Sequence, residues 1–384
     1  MKKHKVYRRA APLLLAFAAM VSGCAFSGSG GGEEAGTGQK EGGGNSSVSI
    51  MTWNLQALFD GVENGNEYDE YREGAGWSNE KYSGRLNNIA AAIGKIEPSP
   101  PDIIAIQEIE SAQVLKDLAA ALSGQAYVWT HFAANPEMSL GLGVLSRLPL
   151  DGIKVHSVNI DGEAAPRPVL EARVSSDGGE FALFVCHWKS KLGGEEATEA
   201  ARRSSARIIL RRIRELAEAE PELPVIVMGD LNENYDEFYR RSGAAISALL
   251  PDDPRSAELA GLYVPDRDGG ALADELQKDF FIISRDKPPA PRCFPQEAVA
   301  FYSPWTGELE NGSYYYKNEW ETIDHFLLSR QLFDGAGWEF ENSALADYQP
   351  FVNSGGHPAA YNPRTGSGLS DHLPLLLFLS LRGS

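Results

Sequence analysis

Basic side chains are scarce in this sequence. Its 384 residues carry 35 Lys and Arg against 53 Asp and Glu, a formal net charge of −18. Five of the basic residues (Lys2, Lys3, Lys5, Arg8, Arg9) fall in the first 23 positions, which hold no acid, so the remainder stands at 30 against 53, or −23. Bulk positive charge is therefore not available to clamp a phosphate backbone. Cysteine is scarce too. Three in 384 residues exclude a disulfide-built scaffold, and no Cys/His spacing suits zinc. No internal repeat is visible. Apolar residues are not lacking: at 43% they suffice for a large core, which excludes global disorder.

The basic residues at the start belong to a leader pattern. MKKHKVYRR is followed by an apolar run from Ala10 to Val21, too short to span a bilayer, and then by Val21-Ser22-Gly23-Cys24. Residues 1–23 read as a signal peptide, and the last four positions resemble the lipobox of bacterial lipoproteins, which implies a lipidated Cys24. From Ser27 to Ser47 there are nine glycines in 21 residues and almost no apolar side chain. Residues 24–47 thus read as a flexible tether with a reach of roughly 25 Å. The expectation is an exported protein, lipid-anchored through Cys24 and facing the periplasm or cell exterior. Of the other cysteines, Cys186 lies inside an apolar strand-like run, which favours a plain buried thiol over a disulfide with Cys293.

Residues 48–384 read as one α/β domain. Val48–Trp53, Ile103–Ile106, Phe181–Val185 and Val225–Met228 have the β-branched and aromatic content of buried strands. Leu140–Leu145, Val169–Val174, Ile323–Leu328 and Leu373–Leu379 are further candidates. Helical periodicity covers Glu80–Ile96 and Glu195–Glu218. In the second helix Ala206, Ile209, Leu210, Ile213 and Ala217 form the apolar stripe, with Arg203, Arg207 and Arg211 on an adjacent solvated face. Arg202 falls within that stripe, so it is expected to reach an acidic or backbone acceptor. Asp236 to Gly312, rich in proline, reads as long loops.

The informative feature is positional. Apolar runs end in Asn54, Glu108, His187 and Asp230, with Asn232 two residues on, and further runs are flanked by Asp324-His325 and Asp371-His372. One polar residue at a strand end is an ordinary turn former or cap. Six together suggest oxygens and imidazoles converging along the edge of packed sheets. Glu108, Asp230, Asp371, Asn54 and Asn232 form an oxygen-rich set suited to Mg²⁺ or Mn²⁺. Asp324 with His372 makes a plausible acid–base pair. Together they describe metal-assisted attack of water on a phosphate ester.

The segments MTWNLQALFD, DIIAIQEIE, CHWKSK, VIVMGDLNEN, ETIDHFLLS and LSDHLPLLL, in that order, resemble the endonuclease/exonuclease/phosphatase superfamily. It includes deoxyribonuclease I, abasic-site endonucleases, inositol polyphosphate 5-phosphatases and neutral sphingomyelinases. The resemblance implies a four-layer α/β sandwich, two packed mixed sheets flanked by helices. It also implies metal binding by Glu108, Asp371 and Asn54, and catalytic roles for His372, Asp324, His187, Asp230 and Asn232. Arg167 resembles a family arginine that touches substrate phosphate, and Lys189 and Lys191, close after His187, can steer an anion. HWKSKLGGEE and GSYYYKNEWETIDHFLLS look like an exported bacterial branch. One departure is that deoxyribonuclease I pairs its phosphate-contacting histidine with a glutamate, whereas Ser139–Val144 here contains no acid.

The resulting expectation is a metal-dependent phosphoesterase, a nuclease on DNA or RNA ahead of a lipid or inositol-phosphate phosphoesterase. A catalytically silent surface binding module is the alternative of a different class. The partners implied are a phosphate-ester substrate and a membrane, with no protein partner and a monomeric chain. Tyr314, Tyr315, Tyr316 and Trp320 alternate as strand-packing aromatics do, although such a cluster can also stack on a base or sugar.

Overall fold

The computed structural model of the chain describes residues 47–160, 163–164, 167–263 and 278–382. The expected signal peptide, Cys24 and the tether up to residue 46 lie outside them, and Ser47 already belongs to the first strand. Strands in chain order are β1 (Ser47–Leu58), β2 (Ile103–Ile109), β3 (Trp129–Ala133), β4 (Gly141–Ser146), β5 (Leu150–His156) and β6 (Asn159–Ile160). Then come β7 (Glu163–Ala164), β8 (Val169–Ser176), β9 (Gly179–His187), β10 (Val225–Asp230), β11 (Leu249–Pro251) and β12 (Phe281–Ser284). The last six are β13 (Ala300–Tyr302), β14 (Tyr314–Tyr316), β15 (Glu319–Glu321), β16 (Asp324–Leu328), β17 (Gly337–Leu345) and β18 (Leu375–Arg382). The helices are α1 (Asn79–Ile93), α2 (Ala112–Ala121), α3 (Glu195–Ala219), α4 (Glu237–Arg240) and α5 (Pro254–Tyr263).

Two mixed sheets carry the domain. The first has the order β17-β18-β1-β2-β4-β3, the second β11-β12-β13-β16-β10-β9-β8-β5. Their layering follows from the two-residue period of strand side chains. Ile50, Ile103 and Ala105 point inward to meet Leu183, Val185, Ile226 and Met228 of the second sheet. The intervening Met51, Ile104 and Ile106 point outward to Leu86, Ile89 and Ile93 of α1 and Val114, Leu115 and Leu118 of α2. On the other side, Ala182, Phe184 and Val227 receive Ala206, Ile209, Leu210 and Ile213 of α3. Helix, sheet, sheet, helix is the four-layer α/β sandwich the sequence resemblance implied.

Helices α1 and α2 begin where Ser78 and Ser111 accept hydrogen bonds from the backbone N–H of Lys81 and Val114. The apolar stripe of α3 ends on buried Leu216, while Ala217 is exposed. Arg207 pairs with Asp279. The reading of 236–312 as long loops is corrected in part. Strands β11, β12 and β13 extend the second sheet there, and prolines occupy element ends, Pro251 closing β11 and Pro254 opening α5, where a missing N–H costs little. Both Cys186 and Cys293 are free thiols, Cys186 fully buried, as expected. Among the described residues no helix is long and apolar enough to cross a membrane.

Candidate active site

Three of the sequence-marked residues lie side by side because of strand register. Asp230, at the end of β10, is paired with His187 on parallel β9 and with Asp324 on antiparallel β16. All three are buried. Gly229 lets β9 and β10 approach here: it sits at φ +130°, and a Cβ would stand 2.0 Å from the Cys186 carbonyl oxygen. Past the strand end, Asn232 adopts φ 51° and donates its backbone N–H to Asp230 Oδ1 at 2.9 Å. Its side-chain amide donates to the Trp188 carbonyl at 3.2 Å, and Arg167 donates to the same oxygen. The loops after β9 and β10 are thereby joined.

The first sheet supplies the opposite wall. Asn54 donates through Nδ2 to Asp230 Oδ2 at 3.0 Å, a contact between the two sheets, and accepts the Gln56 N–H at 2.9 Å. Glu108 accepts the Ala57 N–H at 2.8 Å through Oε2, while Oε1 lies 3.6 Å from His187 Nε2. The register between β1 and β2 shifts between Asn54 and Leu58, and Gln56, Ala57 and Glu108 all have positive φ, 51°, 59° and 64°. Non-glycine residues persist in that region only when their surroundings hold them. Arg85 of α1 is what holds this bulge. Fully buried, its guanidinium donates to the carbonyls of Leu55, Gln56 and Ala57 and lies 3.8 Å over the Tyr361 ring.

The C-terminal segment closes the site. Ser370 donates to the Asn54 carbonyl at 2.6 Å and accepts the His372 N–H at 3.1 Å, and the Trp53 indole donates to the His372 carbonyl at 2.9 Å. His372 Nδ1 lies 2.8 Å from Asp324 Oδ2, which also accepts the Ser313 hydroxyl at 2.6 Å. With a carboxylate as partner, Nδ1 carries the proton and Nε2 is the atom left for the cleft. Burial opposes the charged imidazole, but Asp324, with Asp230 and Asp371, pulls the His372 pKa up. Burial and the neighbouring Arg167 and His372 push His187 well below the usual range. Asp230 is pushed up by burial, with His372 acting in the other direction.

Asn54, His187, Asp230 and His372 line one cleft of about 590 Å³ that also holds Arg167, Glu108, Asn232 and Asp371. Among the described residues no lysine or arginine forms an ion pair with Glu108 or Asp371. Burial, countered by His372 and reinforced by the Glu108 charge, raises Asp371. Two carboxylates without a lysine or arginine partner, beside amide oxygens, are a donor set that fits a hard divalent cation. Asp230, Asp324 and His372 also bring ligand-capable atoms within 4.8 Å of one another. Since His372 Nδ1 and Asp324 Oδ2 are bonded to each other, the Glu108–Asp371 side suits a cation better.

Lys189 is placed differently from the expectation. Its ammonium turns back to the carbonyls of Ser190 and Leu192 and does not line the cleft, whereas Lys191 does, paired with Glu237. The acid missing from Ser139–Val144 has substitutes: the nearest carboxylates to His187 Nε2 are Asp230 at 3.5 Å and Glu108 at 3.6 Å. Arg202 is fully buried and reaches Glu233 at 2.7 Å, Glu199 at 2.8 Å, and the carbonyls of Lys189 and Glu195, as its place in the stripe required. Sequence reasoning missed Arg85, Gln56 and Ser370. Arg85 left one signal, a charge one position before Leu86 of the apolar stripe.

The model of the Endonuclease/Exonuclease/phosphatase family matches residues 49–265. No curated protein sequence matches the chain. Among solved structures, ANGEL2, described as a 2',3'-cyclic phosphatase, is similar at a TM-score of 0.52 and 11% identity, over 88% of this chain and 96% of that one. Truncated TDP2 of Caenorhabditis elegans gives a TM-score of 0.49 at 14% identity over 87% and 97% of the two chains. A family protein from Bacteroides thetaiotaomicron gives 0.45 at 17% identity over 88% and 98%. At such identities the ANGEL2 likeness concerns the fold alone.

Proposed function

The chain belongs to the endonuclease/exonuclease/phosphatase family and is a phosphate-ester hydrolase; from that premise we propose that it cleaves phosphodiester bonds of nucleic acid with the help of Mg²⁺ or Mn²⁺, at a membrane surface to which Cys24 anchors it. One observation carries the chemistry. Strand ends from both sheets bring Asn54, Glu108, His187, Asp230 and His372 into a single cleft, with Asp324 buried behind His372, although up to 318 positions separate them, from Asn54 to His372. Glu108 and Asp371, with Asn54 beside them, would hold the cation. Bound there, it would polarise a phosphoryl oxygen and offset the charge that develops on it.

The protein's own groups do the remaining work. Arg167, His187 and Asn232 line the cleft as donors for phosphate oxygens. Asp324 fixes the orientation of His372, so that Nε2 gives or takes the proton. Asp230, held by Asn54 and the Asn232 N–H, presents an oriented carboxylate to an attacking water. Cell-surface placement rests on the leader pattern ending in Cys24.

The test is turnover by the full chain on plasmid DNA, RNA, sphingomyelin and phosphoinositides with Mg²⁺, Mn²⁺ or EDTA. Nucleic acid should be cut, EDTA should abolish cleavage, and His372→Ala and Glu108→Gln should each reduce it by roughly 100-fold or more. EDTA-resistant turnover, or two fully active variants, sinks the mechanism. Preference for sphingomyelin moves the substrate to lipid. Expressed in cells, Cys24→Ser should shift the protein out of the membrane fraction, and an unchanged distribution removes the anchor.

A further inference from the structure

Packing accounts for most of the aromatic cluster near β14 and β15 and leaves one residue over. Lys317 and Asn318, at φ 48° and 67°, make the two-residue turn that joins these strands, a geometry that fixes hairpin register. Alternation then divides the side chains. Tyr315 faces away from the cleft, stacked on His357 at 3.8 Å and against Trp320 at 5.1 Å, and anchors the hairpin to the body. Tyr314 and Tyr316 share the other face and both line the cleft. Tyr314 lies over the His372 ring, centroids 4.7 Å apart, and Tyr316 continues the row at 6.1 Å with its plane 22° from that of Tyr314. Tyr316 is nonetheless 48% exposed. Across the same cleft Leu192 is 83% exposed, on a loop followed by Gly193 and Gly194 at φ 102° and 112°.

A row of rings that starts on His372 and ends on a half-open flat face has a chemical meaning. We infer that Tyr316 is a stacking platform for an unpaired nucleobase adjacent to the cleaved phosphate, so that single-stranded nucleic acid is the form this cleft accepts. The inference rests on the nucleic-acid reading proposed above and narrows it. A lipid tail needs an apolar channel, yet Leu192 and Ile323 are the only aliphatic side chains among the described residues of the cleft. A planar base needs a π-face and gains from stacking regardless of its identity. Lys317, with Nζ 5.1 Å over the Tyr316 ring centre, supplies local positive charge beside the platform, whereas Lys191 is paired with Glu237. The acidic remainder of the protein disfavours a duplex laid along its surface.

The experiment separates this inference from the proposal beneath it. Binding of a labelled single-stranded DNA oligonucleotide, its duplex and an abasic strand of equal length is measured by fluorescence anisotropy on the full chain carrying Glu108→Gln, with turnover measured on the otherwise wild-type protein. The single strand should bind more tightly than the duplex. Tyr316→Ala should weaken single-strand binding roughly tenfold or more, Tyr316→Phe should stay within about twofold, and the abasic strand should be indifferent to both. Unchanged binding in Tyr316→Ala, an equal loss on the abasic strand, or preference for duplex overturns the inference. Tyr316-dependent binding without turnover of any phosphodiester leaves stacking intact and overturns the hydrolytic proposal.

Discussion

Two arginines are buried under the cleft, one behind each sheet, and they are satisfied in opposite ways. Arg202 on α3 meets two carboxylates, Glu199 and Glu233, which hold it charged against the cost of burial. Arg85 on α1 meets three backbone carbonyls and the Tyr361 ring, and burial pulls its pKa down. The difference is one of task. Arg202 neutralises acids while fastening the chain just after His187 and Asn232, through the Lys189 carbonyl and the Glu233 side chain. Arg85 shapes backbone: its carbonyl partners are the bulge whose Ala57 N–H positions Glu108. One arginine is a stability element that touches the site, and the other is a positioning residue for the cation-binding wall.

The largest expected effect tests the ion-paired side. Arg202→Met leaves buried Glu233 without its counter-charge, while Glu199 keeps Arg241 at 3.1 Å, and should cost about 3–5 kcal/mol in urea unfolding. Adding Glu233→Gln should recover part of that loss, because the stranded charge is removed. If the single variant unfolds at the wild-type midpoint, the carboxylates are not compensated by Arg202. Arg85→Met should cost less stability, about 1–3 kcal/mol, since neutral carbonyls are left without donors. It should cost more function: Mn²⁺ affinity, read by calorimetry, should fall roughly 10–100-fold as the support of Glu108 loosens. Arg202→Met should move Mn²⁺ affinity by less than about threefold, on the same ground that Arg202 does not act on Glu108. Equal metal affinities in the two variants would erase the distinction.

The same pair shows what the sequence can and cannot reveal. Arg202 was legible because a charge inside an apolar stripe demands a partner, and Glu233 stands next to the site motif. The partners of Arg85 are carbonyls some thirty positions upstream, and a carbonyl leaves no residue signature. Nor did a glycine announce the bulge, since Gln56, Ala57 and Glu108 take positive φ with ordinary side chains. His187, Asp230 and Asp324 were visible as polar ends of apolar runs, because burial and register both follow a two-residue period. Which of Lys189 and Lys191 lines the cleft was not visible, because it depends on a turn after β9. Between 236 and 312 the prolines read as loop formers, although several mark the ends of short strands, where the same residue is tolerated.

The smallest effect comes from a third arginine, Arg212, in an ion cluster that serves as a control away from the cleft. Glu171 on β8 accepts from Arg212 on α3 at 2.9 Å and lies 2.7 Å from His156 Nε2 on β5, and none of the three lines the cleft. Burial by itself would raise the Glu171 carboxyl, but His156 and Arg212 hold it down at about 2. Because its folded pKa lies below an unfolded value near ~4.3, its contribution is complete above roughly pH 5 and is lost as pH falls toward 2. Glu171→Gln should therefore be less stable than wild type by about 2 kcal/mol at pH 7, and the gap between the two unfolding free energies should narrow below about pH 5 and close only as pH falls through about 2. Phosphodiester turnover should be unchanged at pH 7. Parallel stability curves down to pH 3 would mean that the cluster holds Glu171 by packing and not by charge.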